Sequence, residues 1–231
     1  MHVFSHDAVF QGKILVEGAE NIDWQDLAIG PGPQDGVDYI YVGDIGDQDG
    51  NRSTLVIYRF PEPDLAGLTA PFEVSVSDFE RIEFTINEAR SCETLMLDAR
   101  TKDLIVLGKM QAMVYRLPYP QKVNEVYEAD FKGHHRLQRE IKAGDMSPDG
   151  SEIIIKDVGQ IFHWTVEEGE DPVQVMFEKP ATFAEYRSEI EGGALGWSAD
   201  GNAYFTITDT DLSEDGVTRR GQPIIFGYTR R

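Results

Sequence analysis

Asp26, Glu93 and Asp145 each stand at or near the head of a short apolar run. The passages are Gln25-Asp26-Leu27-Ala28-Ile29, Glu93-Thr94-Leu95-Met96-Leu97 and Gly144-Asp145-Met146-Ser147-Pro148. A fourth passage, Glu191-Gly192-Gly193-Ala194-Leu195, has the same form. Carboxylates brought together from separate passages could hold a hard cation, and Ca2+, which takes about six to eight oxygen ligands, is the candidate cofactor. Lys109 and Lys156 end apolar strand candidates, where they could balance those acids or stabilise developing negative charge. Asp26, Glu93, Asp145, Lys109 and Lys156 are the candidate catalytic set, and metal-assisted hydrolysis is the chemistry it would support.

A second cation candidate lies in Asp44-Ile45-Gly46-Asp47-Gln48-Asp49-Gly50-Asn51, where oxygen side chains alternate with glycines. Asp44, Asp47 and Asp49 are its candidate ligands. The loop is not an EF-hand, because Tyr58 stands where the bidentate glutamate would be and strands flank it. A polar hairpin accounts for the same pattern without a metal. A further acidic loop, Asp209 to Gly216, has weaker spacing.

The elements that must position these residues are strands. Each passage is followed by a stronger strand candidate: Tyr39 to Val42, Leu104 to Leu107, Ile153 to Ile155 and Ala203 to Ile207. A strand-built repeat of roughly fifty to sixty residues is the mark of a β-propeller, in which the first strand of each blade lines a central channel. Ser147-Pro148-Asp149-Gly150 and Ser198-Ala199-Asp200-Gly201 read as hairpin turns. Val173 to Phe177 reads as a strand, and the best helix candidate is Phe183 to Ile190. Glu73 to Val76 reads as an outer strand of the first full blade.

His2 to Asp7 and Lys13 to Val16 precede the first repeat and read as the outer half of one more blade, linked by a turn at Gln11-Gly12. The expected fold is all-β, one five-bladed propeller over residues 1–231 with an incomplete N-terminal blade at 1–20. The remaining blades are expected at 21–90, 91–142, 143–190 and 191–231.

Forty-one acidic against 21 basic residues give a net charge of −20. That balance excludes nucleic acid as a partner, since phosphates require a basic footprint. No run approaches the roughly 18–20 apolar residues of a membrane span, and the N-terminus lacks the form of a signal peptide. The single cysteine, Cys92, cannot form an internal disulfide and reads as a small buried thiol. His134 and His135, adjacent on a strand candidate, would point to opposite faces and read as a surface pair. His163 reads as packing.

The runs Asn21 to Pro33, Tyr41-Val42-Gly43-Asp44-Ile45-Gly46-Asp47, Ile57-Tyr58-Arg59-Phe60-Pro61-Glu62-Pro63 and Ala143 to Gly150 resemble a poorly characterised group of secreted or periplasmic propeller proteins. The resemblance implies the propeller fold and an extracellular or periplasmic location. It also implies a carboxylate where this chain has Gln25 and another where it has Gly193. The group carries no settled activity.

Two functional classes therefore stand. One is a binding module that takes a small molecule or protein ligand at the channel mouth, with Ca2+ as a candidate bridge. The other is a metal-assisted hydrolase using the same acids. An oligomer in which another chain completes the short blade is a third expectation.

Overall fold

The computed structural model describes residues 1–87, 91–110, 112–137, 140–189, 192–208, 211–214, 217–220 and 224–230. Strands β1 (His2–Phe4) and β2 (Phe10–Val16) open the chain. They are followed by β3 (Trp24–Pro31), β4 (Asp38–Asp44), β5 (Leu55–Pro61), β6 (Phe72–Val76) and β7 (Glu80–Thr85). Next come β8 (Cys92–Leu97), β9 (Leu104–Gly108), β10 (Met113–Leu117), β11 (Tyr127–Glu128) and β12 (Asp130–His134). The third group is β13 (Ile141–Met146), β14 (Glu152–Asp157), β15 (Ile161–Thr165), helix α1 (Pro172–Glu178) and β16 (Thr182–Ala184). The last is β17 (Ala194–Trp197), β18 (Ala203–Ile207), β19 (Asp211–Glu214), β20 (Val217–Arg220) and β21 (Ile225–Thr229).

These strands form five blades of a β-propeller: β1-β2-β6, β3-β4-β5-β7 with β11 at its edge, β8-β9-β10-β12, β13-β14-β15-β16 and β17-β18-β21. β19 and β20 pair as a separate hairpin. In the last four blades the first strand is innermost, and these strands pack in sequence, β3 on β8, β8 on β13 and β13 on β17. Among the described residues the N-terminal blade has no such strand.

The alternation of side chains along a strand builds the layers between blades. On β5, Leu55 and Ile57 face one neighbouring blade while Val56 and Tyr58 face the other. On β14, Ile153 and Ile155 join the layer toward β8-β9-β10, and Ile154 joins the layer toward β17-β18. Both faces of the central strands are thus covered, which is why β8 and β9 are apolar along nearly their whole length and buried throughout.

Four details depart from the sequence reading. Val173 to Phe177 lies in α1, because the Asp171 carboxylate accepts the N–H groups of Val173 and Gln174 and Pro172 occupies the first turn. Phe183 begins no helix; it lies in β16, where Phe162 and Phe183 stand opposite each other. β6 leaves its own blade and pairs in parallel with β2. Gly12, expected in a turn, sits inside β2, where a β-carbon would collide with the Phe72 carbonyl of β6. The turn is instead at Ser5–Val9, closed by Ala8 N–H to the Ser5 carbonyl.

Lys156 and Glu189 form an ion pair at 2.5 Å whose side chains are 1% and 0% exposed, with the Tyr186 ring 5.2 Å from the ammonium. Burial lowers the Lys156 ammonium below its ordinary value, and Glu189 pulls it back up. Thr206 donates to the other Glu189 oxygen, and Gly192 leaves the space that the pair occupies. Removing one member of such a pair strands the other charge. Lys156→Met is expected to lower unfolding free energy by roughly 3–5 kcal/mol, with the Lys156→Met/Glu189→Leu double variant recovering most of it in urea melts.

Candidate functional site

Inner strands β3, β8 and β13 each carry a β-bulge against the second strand of the blade, between Trp24 and Asp26, Cys92 and Thr94, and Ile141 and Ala143. The extra residues are therefore Gln25, Glu93 and Lys142. Counted from these bulges, the three predicted acids are not equivalent. Glu93 is the bulged residue itself, Asp26 follows its bulge directly, and Asp145 lies further along its strand, opposite Ile154.

Their partners differ accordingly. Asp26 on β3 accepts the N–H of Leu27 and, across the blade boundary, the N–H of Leu95 on β8, each at 2.9 Å. Asp145 repeats the arrangement from β13, accepting Met146 N–H and, from β17, Trp197 N–H, each at 2.8 Å. Glu93 turns instead to Lys109 at 3.0 Å, and Lys109 continues to Glu140 at 3.1 Å and Glu140 to Lys142 at 2.7 Å. Burial opposes the Lys109 charge, but its bonds to Glu93 and Glu140 prevail and raise it above its ordinary value.

Burial pushes the Asp145 carboxyl up to about 7, against the pull of its two N–H donors. It raises Asp26 well above the usual carboxylate range, with the Asp145 and Glu93 charges adding to the effect. These shifts tie Asp26 electrostatically to both of the other acids.

The Asp44 to Asn51 loop is a closed polar turn. Asp44 accepts the N–H groups of Ile22 and Asp23 and pairs with Arg52 at 2.8 Å. Asp47 accepts the N–H groups of Asn51 and Arg52, and Asp49 is exposed. Among the described residues no group of three or more His, Cys, Asp or Glu side chains is arranged to hold a metal ion. Of the carboxylates that sequence reasoning assigned to Ca2+, Asp26, Glu93, Asp145, Asp44 and Asp47 are engaged by backbone N–H groups, lysine or arginine, and Asp49 is exposed. Glu191 lies outside the described residues, as does most of the connecting chain in the Asp209 to Gly216 loop.

Cys92 is buried and pushed up to about 12, which leaves a thiol rather than a nucleophile. His134 is exposed, but His135 is not a surface residue: its Nε2 lies 2.6 Å from the Met176 carbonyl and its ring meets Trp164 edge-on. His163 stands between Glu152 and Thr182.

A cavity of about 740 Å³ lies between β3 and the last blade and reaches Leu97, Ala99 and Asp145 to Pro148. One wall is β3 along its whole length, from Trp24 to Pro31; the other is Ala194 to Trp197 with Phe205, Ile207 and Ile225. Asp26 and Asp145 line it, whereas Glu93, Lys109, Lys156, Asp44, Asp47 and Asp49 do not. The remaining charged lining residues are Asp38, Glu62 and Met1, whose α-ammonium donates to the Ile14 carbonyl; the described lining holds no basic side chain. Sequence reasoning missed this pair and the apolar wall. The available sign was Leu27 and Ile29, apolar residues on an inner strand, which are 46% and 52% exposed.

Two outcomes test this description. An acid raised in the folded state contributes stability that is present below its unfolded value and lost as pH rises to the folded one. Wild-type stability should therefore carry a fall between about pH 4 and about pH 7 that is reduced in Asp145→Asn, Asp26 supplying the remainder, measured by urea melts across that range. Millimolar Ca2+ should leave the melting midpoint unmoved relative to chelator, since a ligand specific to the native state would raise it.

No family model matches the chain, and no curated protein matches it. Among solved structures it is similar to the periplasmic gluconolactonase of Pseudomonas aeruginosa, at 15% identity and a TM-score of 0.46. That alignment covers 84% of this chain and 56% of the other, so this chain spans little more than half the length of that structure. No helix among the described residues is long and apolar enough to cross a membrane.

Proposed function

We propose that this protein is a binding module whose ligand enters the cavity between β3 and the last blade. The observation that carries the reading is the cavity lining itself: apolar walls with Asp26, Asp38, Glu62 and Asp145 and no basic side chain among the described residues. A ligand matched to it has an apolar body and a positive charge. Trp197 adds a buried Nε1–H with no acceptor among the described residues, a donor that a ligand oxygen could accept from.

Ionised Asp145 attracts a cation, so binding and deprotonation are linked. Affinity for a cationic ligand should rise as pH increases through about 7 and level off above it. Calorimetric titration with 2-phenylethylammonium, 2-phenylethanol and 3-phenylpropionate at several pH values tests this. The expected order is cation, then neutral alcohol, then anion, with pH dependence for the cation. Ala199→Arg, an exposed lining position, should abolish the preference. Equal binding of all three, or none, removes the reading.

A second reading is acid-assisted hydrolysis in the same cavity. It is favoured by Asp145, which at about 7 keeps a transferable proton near neutrality. Turnover with a limb near pH 7 that is lost in Asp145→Asn would select it over a binding role.

A further inference from the structure

Glu152 on β14, His163 on β15 and Thr182 on β16 form a polar row across one sheet. His163 stands opposite Thr182 on one side and opposite Ile154, two residues after Glu152, on the other. Alternation along the strands puts all three side chains, with Ile154 and Ala184, on the face turned to the last blade. His163 Nδ1 is 2.9 Å from the Thr182 hydroxyl, and its Nε2 is 3.1 Å from Glu152 Oε2. Arg230, just after β21, holds the other Glu152 oxygen from Nε at 2.8 Å and from Nη2 at 2.6 Å. A hydroxyl, an imidazole and a carboxylate are thus joined in that order, with the carboxylate fixed by a guanidinium.

The row is wired for proton transfer. With a neutral ring, the Thr182 hydroxyl donates to Nδ1 and Nε2–H donates to Glu152. Once the ring has taken the threonine proton, both nitrogens donate, and Thr182 Oγ1 and Glu152 accept. The competing acceptor for the Thr182 O–H is the His163 carbonyl at 3.2 Å, which keeps the hydroxyl beside the ring.

A cleft of about 440 Å³ adjoins the row between the last two blades. Ile154, His163 and Ala184 line one side, and Trp197, Tyr204 and Arg230 the other. Phe183 lines it as well and is 66% exposed, and its neighbour Thr182 is exposed. Trp197 is the lining residue that this cleft shares with the larger cavity. Its buried Nε1–H, without an acceptor among the described residues, is the candidate donor to an acyl oxygen on which negative charge develops.

The geometry points to a second active site, separate from the larger cavity, that hydrolyses esters of short apolar acids. Thr182 is the nucleophile, His163 its base, and Glu152 the group that orients the ring. Thr182 Oγ1 bonds to the ester carbonyl carbon while its proton passes to His163 Nδ1. The ester C–O bond then breaks as that proton passes to the departing alcohol oxygen. Water attacks the acyl-threonine, giving a proton to His163 that returns to Thr182 Oγ1 as the carboxylic acid leaves. Ile154, Ala184 and the Trp197 and Tyr204 rings would receive the acyl chain.

4-Nitrophenyl butyrate is the probe. The expected result is a burst of about one nitrophenolate per chain and, after acid quench, a butyryl group that peptide mass mapping places on Thr182. Thr182→Val should lower turnover at least about a hundredfold and leave no adduct, Thr182→Ser should keep both, and His163→Gln should lose the burst. Thr182 is exposed on an edge strand, so the valine variant should keep the wild-type melt. A butyryl group on lysine or on His163, a burst undiminished in His163→Gln, or no turnover above that of free imidazole overturns the proposal. Turnover lost in Asp145→Asn but kept in Thr182→Val assigns the chemistry to the larger cavity and overturns it too.

Discussion

A carboxylate on one blade accepting a backbone N–H from the next blade's inner strand is the interaction on which this structure turns. Asp26 makes it to Leu95 and Asp145 makes it to Trp197. Apolar layers hold adjacent sheets face to face, but such layers are non-directional and tolerate sliding. A hydrogen bond between a fixed backbone donor and a short acidic side chain does not. It sets the height of one inner strand against the next, and with it the position of everything on the loops above. The cost is two carboxyls pushed toward neutrality by burial, left lining the cavity beside β3.

The same residues thus serve architecture and offer chemistry, and sequence alone does not separate the two uses. The spacing of Asp26, Glu93 and Asp145 correctly suggested a repeating inner strand. It could not show that a bulge places Glu93 at a different level, within reach of Lys109. Nor could it show that Asp44 and Asp47, so like a cation loop in their pattern, spend their oxygens on nearby N–H groups and Arg52.

Fold was legible because strand alternation and turn chemistry are local. Ser147 and Asp149, and again Ser198 and Asp200, close the same hairpin with the same bonds, and Gly150 and Gly201 supply the positive φ of 69° and 67°. The short N-terminal blade could be counted from strands alone. What remained hidden depends on long-range placement. The pairing of β6 with β2 skips three intervening strands, and the acidic trough draws Asp38 and Glu62 from opposite ends of neighbouring strands. The helix at Pro172 was missed for a different reason: a Val-Gln-Val alternation outweighed an Asp-Pro start that, read as a cap, says helix.

The four layers among five sheets also change how the molecule should be regarded mechanically. A closed propeller is a hoop, in which each blade is braced from both sides and no blade is first or last. Among the described residues this chain has four such layers between five sheets, so its blades are coupled in series, as in a repeat array. Nearest-neighbour coupling then governs its cooperativity, and the terminal units open at lower cost than the middle ones. The last blade, held on one side by the layer around Ile154, Leu195 and Tyr204, is such a unit.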